Sequence, residues 1–265
     1  MTAGFFYLSL TIRTDRFLGE DMIRTIEELS MNAWPAMKTL HYDGWILRYA
    51  DGYTKRANSI YPLYSSEINI DEKIEFCELF YRGQDLPTVF KMTEASIPAD
   101  LDAALAARGY QAVSCTSVQS LDLRGESYET SEVVDLSSTA SETWHAAFAR
   151  MNNVAENRRA THEGILHAIL PDKCFVSINA DGHIIGCGLG VLQTGYLGLF
   201  DILIDTNHRR QGHGKRLMMA LLNWGQQNGS NIAYLQVMCD NEPALGLYGK
   251  FGFQEKYQYW YRIKA

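Results

Sequence analysis

The segment LFDILIDTNHRRQGHGKRLMMALL, residues 199–222, constrains the chain more than any other, because an apolar strand, a glycine-bearing turn and an amphipathic helix arrive in immediate succession. A helix starting directly after a strand end turns unpaired N–H groups, and the positive end of its dipole, toward whatever approaches the turn. Gly212 and Gly214 remove the Cβ atoms that would hold a phosphate off the backbone, and Arg209, Arg210 and Lys215 add positive charge. Several convergent donors suit a diphosphate better than a single phosphate. Two familiar phosphate loops fail on spacing. A Walker A loop ending at Gly214-Lys215 needs glycine at 209 and Ser or Thr at 216, where arginines stand. A GxGxxG fingerprint begun at Gly212 meets Leu217 where glycine or alanine is required. Taken alone, the same residues also describe a polar turn capping a surface helix.

The rest of the chain reads as two passes through one order of elements. Ile23, Ile26, Leu29 and Ala33 recur at helical spacing from Met22 and stop at Trp34-Pro35, where proline disfavours helix for the residue before it. GWILRYA (44–50) and YTKRANSIYPL (53–63) predict antiparallel strands joined by a two-residue hairpin at Asp51-Gly52. A helix over 71–82, a strand over 88–94, a short helix over 99–107 and a strand pair ending near Arg124 complete an α+β unit. The polar stretch RGESYETSE (124–132) carries no apolar periodicity and marks a boundary. Strand EVVDL, helices over 140–151 and 157–170, and strands CFVSI, HIIGCGLGVL and YLGLFDILI follow, with a turn at Asp181-Gly182. After the long helix come a turn at Asn228-Gly229, strand IAYLQVM, a short helix over 242–250 and a strand near 253–263. ARGYQAV (107–113) beside KFGFQEK (250–256) is the nearest local match, consistent with duplication and divergence. The expected division is 22–125 and 126–265, with 1–21 either an extension from an upstream start codon or an extra edge strand.

Composition removes several classes. With 24 Lys and Arg against 31 Asp and Glu, the net charge of −7 leaves no broad basic surface for nucleic acid. FFYLSL (5–10) lacks a basic flank and soon meets Arg13, Asp15 and Arg16, so it predicts no membrane span. Five cysteines, at 77, 115, 174, 187 and 239, are an odd set without a CxxC pair, which predicts buried thiols in a reducing cytoplasm, with no disulfide and no structural zinc. His162 and His167 are five apart, not the four of HExxH, and no metal site is expected. No GxSxG elbow supports a serine hydrolase.

Arg209-x-x-Gly212-x-Gly214, after a strand and before a helix, resembles the pyrophosphate loop of the GNAT superfamily of acyl-CoA-dependent N-acyltransferases. NEPALGLYGKFGF (241–253) resembles that superfamily's later motif at Asn241, Ala244, Leu247, Tyr248, Lys250, Gly252 and Phe253. The match in element order covers 129–265. The first half keeps the order, but SSEINI before its helix at 71–82 brings no glycine. NAWPA (32–36), DGWILR (43–48) and RANSIYPL (56–63) resemble one bacterial tandem branch. The resemblance implies an α/β (α+β) fold of two tandem GNAT-like domains, each a mixed, mostly antiparallel sheet flanked by helices. Strands FDILI and AYLQVM would splay in the C-terminal domain, and the degenerate first domain would not hold CoA by this loop.

It also implies acetyl-CoA as co-substrate, without a metal. Leu203 and Ile204 would offer main-chain hydrogen bonds to the pantetheine arm and acyl carbonyl. Arg209 and the amides of Gln211, Gly212, His213, Gly214 and Lys215 would take the pyrophosphate, and Asn241 would reach the pantetheine region. Tyr248 would donate a proton to the departing thiolate, a job that suits a phenol protonated at neutral pH; the plainer alternative is a core tyrosine. Asp201 is the candidate base, because an acid embedded in LFDILI must face a cleft or a partner; a structural ion pair, with water as base, is the alternative. Trp34, Trp45, Arg48, Arg56 and Asn58 are candidates for lining an acceptor pocket. The expected reaction is N-acetylation of a small-molecule primary amine by direct attack in a ternary complex, by a cytoplasmic monomer or homodimer. An inactive CoA-binding sensor or scaffold and a protein N-acetyltransferase are the alternatives.

Overall fold

A computed structural model describes residues 19–128 and 134–264. Residues 1–18 of the expected extension lie outside them. The stripe Ile23, Ile26, Leu29 and Ala33 is the buried face of α1 (Glu20–Ala33), which ends where Pro35 bars a further turn. β1 (Lys38–Tyr42) and β2 (Trp45–Tyr49) then form a hairpin about Asp43-Gly44, both at positive φ (41° and 79°), as a type I′ turn requires. The two-residue turn therefore stands at the start of GWILRYA instead of after it. KTLHY is exposed along most of its length and shows no alternation that would have announced β1. Asp51-Gly52 opens a longer link carrying a 3-10 turn (Lys55–Ala57), after which β3 (Ile60–Pro62) pairs antiparallel with β2 as expected. Asn58 ties that link together, its Oδ1 accepting from the Ala50 and Gly52 amides at 2.8 Å each. α2 (Ile70–Arg82), β4 (Thr88–Met92) and α3 (Leu101–Ala107) agree with the sequence pattern. The expected strand pair before Arg124 is instead one long strand, β5 (Gln111–Asp122).

The remaining elements follow in the expected order: β6 (Asp135–Ser137), α4 (Glu142–Met151), α5 (Glu156–His167), β7 (Asp172–Ala180), β8 (His183–Gln193), β9 (Tyr196–Ile204), α6 (His213–Gln227), β10 (Ile232–Met238), α7 (Glu242–Lys250) and β11 (Gln254–Lys264). All strands join one mixed sheet, β1-β2-β3-β4-β11-β5-β10-β9-β8-β7-β6. The order is mirrored about the central β11/β5 pair. β4 and β10 occupy equivalent positions on either side of it, and β3/β4 and β9/β10 are the parallel pairs. The closing strand of the first half thus lies beside β10, and that of the second half beside β4.

Because these strands are exchanged, one apolar core crosses the molecule: α1 packs with Trp144 and Phe148 of α4 and with Tyr257, Tyr259 and Tyr261 of β11. A buried ion pair sits in it. Lys91 Nζ meets Glu27 Oε2 at 2.5 Å, and Tyr257 donates to Glu27 Oε1 at 2.7 Å. The exchange also overturns the expectation of no disulfide. β5 runs antiparallel to β10 with Thr116 opposite Met238, which sets Cys115 opposite Cys239, their Cα atoms 5.7 Å apart and their sulfurs bonded. Residues 124 positions apart carry no sequence sign of that pairing. With Cys115 and Cys239 bonded, the cysteines no longer point to a reducing compartment. Cys77, Cys174 and Cys187 are free and buried, as expected, and burial pushes their thiols up, those of Cys77 and Cys174 to about 12 and about 11. No helix among the described residues is long and apolar enough to cross a membrane.

Candidate active site

β9 and β10 begin as neighbours and then part. Their parallel pairing runs from Tyr196↔Ile232 to Leu199↔Leu235 and stops. Beyond it, β9 continues against β8 alone and β10 against β5 alone. The cause on the β9 side is a bulge: Cys187 faces Leu203 and Leu189 faces Phe200, so Asp201 and Ile202 together oppose Gly188. Asp201 takes φ 52° there. The expected splay of FDILI from AYLQVM is present: beyond Leu199 the β10-side edge of β9 has no strand partner among the described residues, with Ile204 on that edge and Leu203 paired with Cys187 of β8.

The strand leads into the glycine turn. Asp205 accepts from the Asn207 amide and is clamped by Arg150. Arg209 is exposed, and its Nε donates to the Ile204 carbonyl at 3.2 Å, which secures the strand end. Gly212 caps α6 at φ 87°, a left-handed conformation that favours glycine, and a Cβ there would meet no protein atom within 4 Å. The space in front of it is open. Gly214 faces protein instead: a Cβ there would come within 3.2 Å of the Leu247 side chain of α7, which would have to shift slightly. The exposed Lys215 flanks the helix start, whose first N–H groups have no carbonyl one turn back. Asn241 caps α7, its Oδ1 accepting from the Ala244 amide at 3.3 Å.

A cavity of about 220 Å³ occupies the splay. Asp201 reaches it from β9, Gln236 from β10, Tyr259 from β11, Tyr248 from α7 and Arg56 from the first half. Tyr248 is buried, its phenol is pushed up to about 12 by that burial, and its hydroxyl has no hydrogen-bond partner among the described residues. Asp201 Oδ2 is also buried without a hydrogen bond and lies 3.7 Å from His162 Nε2. His162 is stacked on Phe148 with ring centroids 4.2 Å apart. Tyr53 adjoins the same ring, and burial together with the charge of Asp201 raises its phenol to about 12. A much larger depression of about 900 Å³ opens beside α4 and includes Asp205 and His208, but neither Asp201 nor Tyr248.

The equivalent place in the first half is filled from within. Ahead of α2, the amides of Glu67 and Ile68 donate to the Asp43 carboxylate at 2.9–3.1 Å, and buried Lys73 pairs with it at 3.2 Å. These backbone donors hold Asp43's carboxyl below the usual carboxylate range. An internal carboxylate thus takes the amides that precede α2.

Of the five acceptor-pocket candidates, only Arg56 opens on the cavity. Trp34 packs under its guanidinium at 4.7 Å. Arg48 is buried and donates to the carbonyls of Trp34, Arg56 and Met31, Asn58 serves its own loop, and Trp45 lies in the first-half core with Nε1 bonded to Ile97 O at 3.0 Å. His162 shows in the sequence only as half of a spacing that does not fit HExxH. Its signal was available: Thr161, His162, Ile165 and Leu166 form the buried stripe of α5, which places an imidazole in an apolar row.

Comparison with known proteins gives one consistent result. A family model described as "Probable histone acetyltransferase Rv0428c C-terminal" matches residues 21–262. The chain is 32% identical over 248 residues to the uncharacterized N-acetyltransferase YobR of Bacillus subtilis, covering 92% of this chain and 99% of that protein. Among solved structures, it resembles a GCN5-related N-acetyltransferase from Kribbella flavida with a TM-score of 0.67 at 15% identity, over 91% of this chain and 95% of that one. It also resembles a tandem GNAT protein from the clavulanic acid biosynthesis pathway, with a TM-score of 0.56 at 16% identity over 69% of this chain and 65% of the other.

Proposed function

The chain belongs to the family described as probable histone acetyltransferase Rv0428c C-terminal, within the GNAT superfamily of acyl-CoA-dependent N-acetyltransferases, and on that premise we propose that it acetylates the primary amine of a small molecule by direct attack in a ternary complex. The observation that carries this reading is the cavity in the β9/β10 splay, which is lined both by Asp201 and by Tyr248, a phenol without a hydrogen-bond partner among the described residues. Aminolysis of a thioester is helped by a base for the nitrogen and an acid for the sulfur. Asp201 takes a proton from the attacking nitrogen, the N–C bond forms as the C–S bond breaks, and Tyr248 gives its proton to the departing sulfur.

The residues fit acetyl-CoA. The open space before Gly212 admits a diphosphate against the amides of Gln211, Gly212, His213, Gly214 and Lys215, with the helix dipole behind them. Leu203 and Ile204 offer main-chain groups to the pantetheine arm, and Asn241 keeps its side-chain NH₂ for the same arm while its oxygen caps α7. Arg209 contributes by fixing the Ile204 carbonyl and by its charge. Residues 22–125 and 126–265 act as tandem units, of which the second binds the co-substrate, and Asp43 supports this assignment by occupying the first unit's amides.

The test is thiol release from acetyl-CoA over a broad amine panel, with acetylated product identified by mass. Turnover with a small amine supports the reading. Binding of acetyl-CoA without turnover on any amine or peptide would make the chain a sensor that kept the pocket alone.

A further inference from the structure

Three functional groups in the splay cavity retain hydrogen-bonding or charge capacity, and only two have been used. The neutral polar side chains are committed: Gln236 donates to Ser30 Oγ at 2.8 Å and accepts from Tyr259 at 3.1 Å, and Thr116 donates to the Ser114 carbonyl at 3.1 Å. The nearby buried carboxylate of Glu27 is committed to Lys91 and Tyr257. What remains is Tyr248, Asp201 and Arg56.

Arg56 is mounted with unusual firmness for an arginine on a loop. Its backbone carbonyl accepts from Arg48 Nη1 at 2.7 Å and from Tyr61 Oη at 3.0 Å, which fixes the 3-10 turn. Its guanidinium lies 4.7 Å from the Trp34 ring and 5.8 Å from the Phe200 ring, both of them buried. Stacking of this kind orients a guanidinium plane and leaves its N–H edge for a ligand. No carboxylate pairs with it among the described residues. Arg56 and Asp201 are the only formally charged residues among the described ones lining the cavity, they come from opposite halves of the chain, and they do not pair with each other.

A cation and an anion held apart on separate mounts in about 220 Å³ describe the complement of a small zwitterion. We propose that the acceptor is a free amino acid, or a close relative with a carboxylate a few bonds from its amine, whose carboxylate is held by Arg56 while its nitrogen faces Asp201. This rests on the acetyltransferase reading above and narrows its substrate class. The reaction balances as before: the acceptor nitrogen gains acetyl and loses a proton to Asp201, free CoA thiol leaves with the proton of Tyr248, and the carboxylate is unchanged. A peptide N-terminus has an amide where this acceptor has its acid, and so leaves Arg56 without an anion.

The experiment measures thiol release from acetyl-CoA with a panel of amino acids, each alongside its carboxamide and its decarboxylated amine. For the best acceptor, kcat/KM of the acid exceeds that of its carboxamide by about 10- to 100-fold, the range for one charge-assisted contact. In Arg56→Gln this ratio falls toward one, mainly through a higher KM for the acid, and Arg56→Lys restores part of it. The wild-type ratio alone tests the proposal should the variant not fold. Carboxamides or plain amines that match or outpace their acids overturn the zwitterion while leaving acetyl transfer intact, and preference for carboxamides would favour a peptide acceptor. No thiol release with any member, with acetyl-CoA binding retained, overturns the acetyltransferase reading and this inference together.

Discussion

His162 Nε2 lies 3.7 Å from Asp201 Oδ2, and although both atoms are buried neither has a hydrogen-bond partner. A buried acceptor of this kind is costly unless something donates to it. In the proposed reaction the Asp201 carboxylate takes the proton of the attacking amine. Asp201→Asn keeps the size of the side chain and removes its basicity, so kcat/KM falls by about 10²- to 10⁴-fold while acetyl-CoA affinity is retained. Steady-state kinetics with calorimetry on the same sample checks this, and near-wild-type turnover would pass the proton to water instead.

Tyr248 makes a second prediction through pH. Burial raises its phenol to about 12, so the proton it must donate is present at every lower pH and is lost only as pH rises through that value. The alkaline fall in kcat owed to this residue therefore lies near 12, above an ordinary tyrosine's. Tyr248→Phe lowers kcat by about 10²-fold with little change in acetyl-CoA affinity. A wild-type kcat that drops with a midpoint near that of free tyrosine, lost in the Phe variant, would contradict the burial argument.

The Glu27–Lys91 pair joins α1 to β4 and, through Tyr257, to β11. Lys91→Met removes one charge and leaves the other buried, which costs about 3–5 kcal/mol in comparable pairs. Urea unfolding should show that loss as a lower midpoint. An unchanged midpoint would mean that water reaches Glu27.

Cys239 follows β10 at the mouth of the splay but is bonded to Cys115, so no thiol is available there for an acyl-enzyme. Direct attack predicts that Cys239→Ala still turns over. The disulfide closes a loop of well over a hundred residues, and its removal lowers stability by roughly 2–4 kcal/mol. Loss of turnover in a variant that still folds and binds acetyl-CoA would require a covalent route.

Local signals reached far along this chain where burial and strand direction are set by near neighbours. YLGLFDILI, the Gly212 turn and α6 were readable because an apolar run, a left-handed glycine and an amphipathic stripe each act within a few residues. Asp43-Gly44 and Asp51-Gly52 are the same dipeptide, and only the exposed strand KTLHY distinguishes the one that closes the two-residue hairpin. Tyr248 is legible at a motif position and Asp201 as an acid in an apolar run, whereas their common cavity needs the bulge opposite Gly188. What stayed hidden depends on strand exchange. Cys115 meets Cys239, and Arg56 meets Phe200, only because β5 and β11 cross between the halves and bring the first-half loop over the splay.

In the proposed function the turn before α6 grips the diphosphate of acetyl-CoA through its main chain, with Gly212 held at φ 87° in front of open space. Calorimetric titration of acetyl-CoA into wild type and Gly212→Val tests it most directly. A branched side chain there both strains the left-handed backbone and fills the phosphate's approach, so the account predicts measurable binding to wild type and a loss of about 10²-fold or more in the variant. Equal affinity in the two proteins, or no heat with wild type, would contradict it.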